Sequence, residues 1–251
     1  FIPMCAFERS EKGMKFNMNI LAIDTTTKIA SVAIYNGKNI TEEKISNEIT
    51  HSEKLLPLID ETLNKCKLTL KDINMYACIN GPGSFTGIRI GLSTIKAFSM
   101  IDNNKTFSIE STKLIAYKAL IESKKSSATI ASLIDARNDR VYYAVYKLSL
   151  NNDKINIQTL LDISNDTIDV ALKNISTIND ITIIAGDCIY KFSDILSNLF
   201  KSTYNFYPTT TDLIEAYFKI DNVDNYMYDT YTLDAIYARP SQAERIKNGN
   251  K

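Results

Sequence analysis

The chain contains 251 residues, 45% of them hydrophobic, and its 29 Lys plus Arg balance its 29 Asp plus Glu. This length supports one large domain or two modest lobes, each with a core. The neutral balance argues against a protein that coats nucleic acid by itself, because such proteins carry a basic excess. No apolar run reaches the ~18 residues of a membrane helix. Four widely spaced cysteines without a C-x-x-C pair indicate free thiols in a reducing compartment, so we expect a cytoplasmic protein.

The first half of the chain predicts the order β-β-β-α-β-α-β-α. Residues 1–17 contain no apolar core of signal-peptide length, and we expect them to be a disordered leader. Pro57 lies early in the first predicted helix and indicates a kink or an irregular first turn there. The predicted elements are a strand at 19–26, a hairpin at 29–40 that turns at Asn36-Gly37, a strand at 39–46, a helix at 53–66, a strand at 75–80, a helix at 84–101, a strand at 106–111 and a helix at 112–123.

The second half of the chain repeats this order. Asp24 and Asp135 fall at the same place in two matching patterns, LAIDTTTKIASVAIY and SLIDARNDRVYYAVY. We therefore predict a duplicated α/β fold with lobes at 18–125 and 126–240, followed by a tail at 241–251. The predicted elements are strand, turn and strand at 128–148, a strand at 155–163, a helix at 165–175, a strand at 181–187 and a helix at 190–200.

The stretch INGPGSFTGIRIGLSTIKAF, residues 79–98, holds four of the eight glycines of the chain. It lacks the Lys of a P-loop and misses the spacing of the dinucleotide fingerprint by one residue. Ser84 predicts the N-cap of a helix. Within that helix Gly87 and Gly91 each cost roughly 1 kcal/mol relative to Ala, so we expect close packing to offset the loss. The bare helix face is expected to lie against the helix at 53–66.

Four stretches of the sequence resemble the TsaB family, also called YeaZ. They are ILAIDTTTKIASVAIYNG, HSEKLLPLI, INGPGSFTGIRIGLSTIKAF and YARPSQAERIK. The likeness runs from about residue 19 to residue 247. It implies an actin-like fold of the sugar-kinase and Hsp70 group, with βββαβαβα duplicated in two lobes. It also implies a non-catalytic subunit in the formation of threonylcarbamoyladenosine at position 37 of tRNAs that read codons beginning with A.

The same resemblance implies a set of partners. A helical face would pair with the catalytic paralogue TsaD, and the ATPase TsaE would be a further partner. We expect a homodimer when the protein is alone, and contact with tRNA only through the complex. The residues expected to form this face or its immediate support are Leu55, Leu56, Ile59, Gly87, Arg89, Gly91, Leu92 and Phe98.

The chemical sites of related enzymes are incomplete in this sequence. TsaD-type relatives hold a metal with two histidines four residues apart, whereas the single histidine, His51, is followed at that spacing by Leu55, so we expect no metal. Active actin-like enzymes carry Gly-rich phosphate loops after the first strand of each lobe. The corresponding loops, which begin at Asp24 and Asp135, contain no glycine. We therefore predict no cofactor, a vestigial nucleotide site at most, and no catalytic activity of the chain by itself.

Three other functions remain open from the sequence. An ATP-dependent kinase or carbamoyl-type transferase of the same fold is disfavoured by the loops without glycine. A metallopeptidase is disfavoured by the single histidine. A module that binds tRNA directly is disfavoured by the zero net charge.

Overall fold

The computed structural model describes residues 18–46, 51–200 and 202–238. The leader expected at 1–17, the tail expected at 241–251 and the side chain of His51 lie outside this described part. The boundaries of the two lobes stay a prediction. Among the described residues, no helix is long and apolar enough to cross a membrane.

Strands and helices follow one another along the described residues in nearly the predicted order. The strands are β1 (Asn19–Asp24), β2 (Ile29–Asn36), β3 (Ile40–Ser46), β4 (Met75–Ile79), β5 (Thr106–Ile109), β6 (Ser127–Asp135), β7 (Arg140–Asn151), β8 (Lys154–Thr167), β9 (Ile183–Gly186), β10 (Thr203–Asn205) and β11 (Met227–Tyr228). The α-helices are α1 (His51–Cys66), α2 (Phe85–Asp102), α3 (Ser111–Ser123), α4 (Ile168–Ile175), α5 (Ser193–Leu199) and α6 (Thr210–Lys219).

The two sheets have the same strand order apart from β11, which adds a sixth strand at the edge of the first sheet. The first reads β11-β5-β4-β1-β2-β3 and the second reads β10-β9-β6-β7-β8. In both sheets the first strand of the repeat pairs antiparallel with the second and parallel with the fourth. The structure therefore confirms the duplicated βββαβαβα order that the sequence predicts, which is the actin-like fold that the resemblance implies.

The helices and sheets stack in five layers. The helices α1 and α2 cover the outer face of the first sheet, where one apolar cluster includes Leu55, Ile59, Leu92 and Ile95. The helices α4 and α5 cover the outer face of the second sheet. Between the two sheets lie α3 and α6, and there a single apolar cluster joins residues of both sheets. The core of the molecule is this shared middle layer.

Turn and cap residues explain several element boundaries. Asn36-Gly37 turns between β2 and β3 as predicted, with Gly37 at a φ of 81° that favours glycine. Ser84 caps α2, since its Oγ accepts a hydrogen bond from the Gly87 N–H at 3.2 Å. Thr209 and Asp212 form a capping box at the start of α6, which the sequence analysis did not predict.

Several predicted boundaries differ from the structure by a few residues, and two of them concern the starts of helices. Helix α1 begins at His51, two residues before the predicted start, and continues through Pro57 because Leu55 and Leu58 pack on the sheet while the proline is exposed. The helix expected at 165–175 begins only at Ile168. Its first three predicted residues instead continue β8, where they pair with the start of β7.

Candidate functional site

The structure divides the predicted interface residues into two groups. Three reach the surface of the helix pair: Leu56 is 56% exposed, Arg89 is exposed and Phe98 is partly buried. The other five belong to the interior of the first lobe and support that surface from below: Leu55, Ile59, Gly87, Gly91 and Leu92. Whether the surface binds a partner stays a prediction at this point.

The glycines of α2 face the first strand and the turn that follows it. A Cβ at Gly87 would overlap the carbonyl oxygen of Thr25, and one at Gly91 would lie 2.5 Å from the Thr25 Oγ1. The Thr25 hydroxyl in turn donates a hydrogen bond to the Gly87 carbonyl at 2.7 Å. The expectation that the bare face lies against the helix at 53–66 is therefore wrong. The missing side chains make room for the β1 turn.

A mainly apolar groove lies between α1, the segment 68–71 that follows it, and Phe98 of α2. It encloses about 580 Å³, and its apolar walls are Leu56, Ile59, Leu63, Leu68, Leu70 and Phe98. On α2, Ile101 lies three residues beyond Phe98, so the two side chains are neighbours on the helix surface, and Ile101 is 80% exposed. We call Leu56, Phe98 and Ile101 the α1–α2 face. Contiguous exposed apolar surface of this kind is typical of an interaction site.

The near end of α2 is joined to the segment that follows β11. The Arg89 guanidinium lies 3.9 Å from the centre of the Phe85 ring, and its Nε donates a hydrogen bond to the Tyr237 hydroxyl at 3.0 Å. The rings of Phe85 and Tyr237 are 4.9 Å apart. Sequence reasoning included Arg89 but not its two aromatic partners. The signal for Tyr237 was its place in the YARPSQAERIK stretch.

The turn after β1, where a phosphate loop would lie in an active enzyme, is held by internal hydrogen bonds. The Asp24 carboxylate is buried and accepts hydrogen bonds from the Thr26 N–H at 2.8 Å and from the Thr26 hydroxyl at 2.6 Å. The Thr26 carbonyl accepts a hydrogen bond from the Ser84 N–H at 2.7 Å, and a Cβ at Gly83 would lie 2.6 Å from that carbonyl oxygen. The backbone of the 83–84 turn thus occupies the space beside Thr26.

The equivalent turn of the second lobe is more open. Its Asp135 carboxylate accepts hydrogen bonds from the Lys191 ammonium and the Arg137 N–H, both at 3.0 Å. The Asp135 N–H donates to the Asp187 carboxylate at 2.8 Å. Burial raises the pKa of Asp187, and the neighbouring Asp135 charge acts in the same direction. Among the described side chains, no three His, Cys, Asp or Glu residues are grouped so that they could hold a metal ion.

Comparisons with known proteins identify the relatives of this chain. The family model described as TsaD, tRNA N6-adenosine threonylcarbamoyltransferase, matches residues 39–221. The tRNA threonylcarbamoyladenosine biosynthesis protein TsaB of Buchnera aphidicola subsp. Acyrthosiphon pisum is 27% identical, with 84% of this chain and 98% of that protein covered. The TsaB of Buchnera aphidicola subsp. Schizaphis graminum is 37% identical over 51% of this chain, and this match spans 60% of the relative.

A solved structure shows the same fold. It is a Pseudomonas aeruginosa protein described as similar to the peptidase YeaZ, and its TM-score with this chain is 0.71 at 20% identity. The superposition covers 88% of this chain and 100% of the other. This likeness shows the fold, whereas the family is shown by the TsaD family model, which matches residues 39–221, and by the relatives named TsaB. The chain belongs to the TsaB (YeaZ) family, within the wider group that the TsaD family model describes.

Proposed function

We propose that this protein is an accessory subunit in the biosynthesis of threonylcarbamoyladenosine in tRNA, and that it acts by pairing with a TsaD-type transferase. The relatives named TsaB support the pathway, and the match to the TsaD family model supports a related chain as the partner. The observation that carries the pairing is the α1–α2 face. It exposes apolar side chains beside an apolar groove in a protein with no net charge.

The physical reason for pairing is the burial of this face. Leu56 and Ile101 are more than half exposed in the chain alone, and moving such side chains out of water favours association by roughly 25 cal/mol per Å² of apolar surface. The buried residues Leu55, Ile59 and Leu92 hold the two helices on the sheet, so the face is already formed before a partner arrives. A preformed surface loses less conformational freedom on binding.

The proposal gives this chain no catalytic step of its own. In the turn after β1, the Asp24 carboxylate bonds to Thr26, and the backbone of residues 83–84 lies against the Thr26 carbonyl. These contacts fill the place where a phosphate would bind in an active enzyme. We further propose that the same face forms a homodimer when the partner is absent, that TsaE binds the assembled pair, and that tRNA is contacted only through the complex. The place of action is the cytoplasm.

The test is a change of charge on the α1–α2 face. Leu56→Glu is expected to abolish the 1:1 species that light scattering detects when the protein is mixed with the TsaD of its own organism, since a carboxylate would be buried unpaired. The urea concentration at which half of the variant is unfolded should equal that of the parent, because Leu56 is exposed and its replacement leaves the core unchanged.

The matched control is Ile121→Glu. Ile121 is a 42% exposed residue at the end of α3, away from the α1–α2 face, and the variant should pair normally. Normal pairing of Leu56→Glu, or equal loss of pairing in both variants, would contradict the proposed interface.

A further inference from the structure

The two lobes exchange helices across the middle of the molecule. Helix α3 follows the last central strand of the first sheet, yet it packs on β6, β7 and β9 of the second sheet. Helix α6 follows the second sheet, yet it packs on β1, β2, β3 and β4 of the first. Phe107 of the first sheet and Ile130 and Tyr146 of the second are fully buried in the same cluster. Neither lobe therefore has a separate inner surface.

Buried hydrogen bonds fasten α3 to the second sheet. The Thr112 hydroxyl and the Tyr146 hydroxyl are 2.8 Å apart. The Ser132 hydroxyl donates to the Thr112 carbonyl, also at 2.8 Å. All three residues are buried. A motion that carried α3 with the first sheet away from the second sheet would leave these groups unpaired in an apolar layer, which is costly.

Each end of α6 is fastened to a different lobe. At its start, the Glu42 carboxylate of β3 accepts hydrogen bonds from the Thr210 hydroxyl at 2.7 Å and from the Thr211 N–H at 3.2 Å. At its other end, the Lys154 ammonium of β8 donates to the Phe218 carbonyl at 2.9 Å. The helix thus bridges the outer edges of both sheets.

The front of the cleft between the lobes is also bridged. The hydroxyl of Tyr207, in the segment that leaves β10, lies 2.8 Å from the Thr26 hydroxyl in the turn after β1. Burial raises the pKa of Tyr207, so the phenol stays protonated and available as a donor or acceptor. The bridge links the carboxyl end of the first sheet to the chain emerging from the second.

From these contacts we infer that the two lobes form a single rigid body and that the cleft between the ends of β1 and β6 does not open and close. The distance and orientation between the α1–α2 face and the second lobe would then be the same with and without a partner. This inference concerns motion within the chain and does not depend on the proposed function. It can fail while the pairing with a transferase holds, and the reverse is equally true.

The test measures distances between spin labels by double electron–electron resonance. One pair spans the cleft, with Thr86→Cys at the exposed start of α2 and Tyr190→Cys at a residue that is 77% exposed in the second lobe. The control pair, Thr86→Cys with Lys38→Cys, lies within the first lobe. Cys5 and Cys66 are replaced by Ser in both, whereas Cys78 and Cys188 are buried and stay.

We expect the distance distribution across the cleft to be as narrow as the control distribution, and neither to move when Mg-ATP is added. A second distance across the cleft, or a shift with Mg-ATP that the control pair does not show, would overturn the inference. Hydrogen exchange on the unsubstituted chain is a second measurement. Amides of α3 and α6 should exchange as slowly as those of β1 and β6, and faster exchange in the two helices than in both sheets would contradict a rigid body.

Discussion

At Gly87 the backbone of α2 comes so close to Thr25 that no side chain fits between them. Thr25 accounts for both glycines of the helix. Its hydroxyl bonds to the Gly87 carbonyl, and the same hydroxyl would meet a Cβ at Gly91. The cost of glycine within a helix is thus offset inside the first lobe. A bulky residue at Gly91 would disturb this lobe itself, so it cannot serve as a clean test of pairing with a partner.

Substitution of Gly87 gives a prediction whose sign is informative. Helix propensity alone would make Gly87→Ala more stable by about 1 kcal/mol. Because the added Cβ would overlap the Thr25 carbonyl oxygen, we expect instead a loss of about 2 kcal/mol or more in the free energy of unfolding. Urea denaturation measures the change.

The comparison variant for Gly87→Ala is Gly91→Ala. There the Cβ would meet a side-chain hydroxyl at 2.5 Å rather than a backbone oxygen, so we expect a smaller loss. A gain of stability in Gly87→Ala would show that the close approach has been misread.

Among the elements, α6 depends on a carboxylate from another part of the chain. Burial raises the pKa of Glu42, but hydrogen bonds from Lys44, Thr210 and Thr211 outweigh burial and hold the pKa below its usual value. A carboxylate whose pKa is lowered by folding stabilises the folded state above its unfolded pKa, near 4.5. That stability is lost as the pH falls through the folded pKa. The start of α6 should therefore be held less firmly in acid than at neutral pH.

Glu42→Gln is expected to reduce the free energy of unfolding at pH 7 by about 1 kcal/mol, because an amide is a weaker acceptor than a carboxylate. The difference from the parent should shrink as the pH falls from the unfolded pKa of Glu42, near 4.5, through its lower folded pKa, because the carboxylate of the parent then becomes protonated. Urea titrations at a series of pH values measure it.

Glu43→Gln is the neighbouring control for Glu42→Gln. Glu43 pairs with Lys65 at the surface, an interaction worth less than about 1 kcal/mol. A loss for Glu42→Gln that is equally large at pH 3 and pH 7 would contradict the role given to its charge.

For the whole molecule, the shared middle layer predicts that both lobes unfold together. Leu133 is fully buried in the outer core of the second lobe, and Leu133→Ala should cost about 2–5 kcal/mol. The chain contains no Trp, so Phe98→Trp and Phe200→Trp give separate fluorescent probes of the first and second lobes. Both probes should report the same urea midpoint and the same shift.

The control for each tryptophan probe is the same variant without Leu133→Ala. Each tryptophan variant is measured with and without Leu133→Ala, so any local effect of the probe cancels in the difference. A shift seen by the second-lobe probe alone would show that the lobes have independent cores and would weaken the inference of a rigid body.

Several features could be predicted from the sequence because they depend on neighbouring residues. The Asn36-Gly37 turn, the Ser84 cap and the helix Phe85–Asp102 follow from local turn, cap and periodicity rules. The repeat of strand and helix patterns likewise predicted the duplicated fold. The turn, cap and helix signals lie within a few residues along the chain, and the repeat is the order in which such local signals recur.

Other features required the folded chain. Strand β11 has only two residues and exists because it pairs with β5, more than a hundred residues earlier. Helix α6 is the last element of the second repeat and the counterpart of α3, and its position was not predicted, although its capping box is present in the sequence. The partners of Arg89, namely Phe85 and Tyr237, come together only when the last described segment returns to the first lobe.

The sequence by itself determined the duplicated α/β order, the incomplete metal and phosphate motifs and the likeness to the TsaB family, since all three are patterns of residue type and spacing. Only the tertiary structure decided that the glycines of α2 face the β1 turn, that five of the eight predicted interface residues are interior, and that α3 and α6 bind the two lobes together. The physical reason is that periodicity predicts which residues of a helix share a face. What that face meets depends on how distant parts of the chain pack.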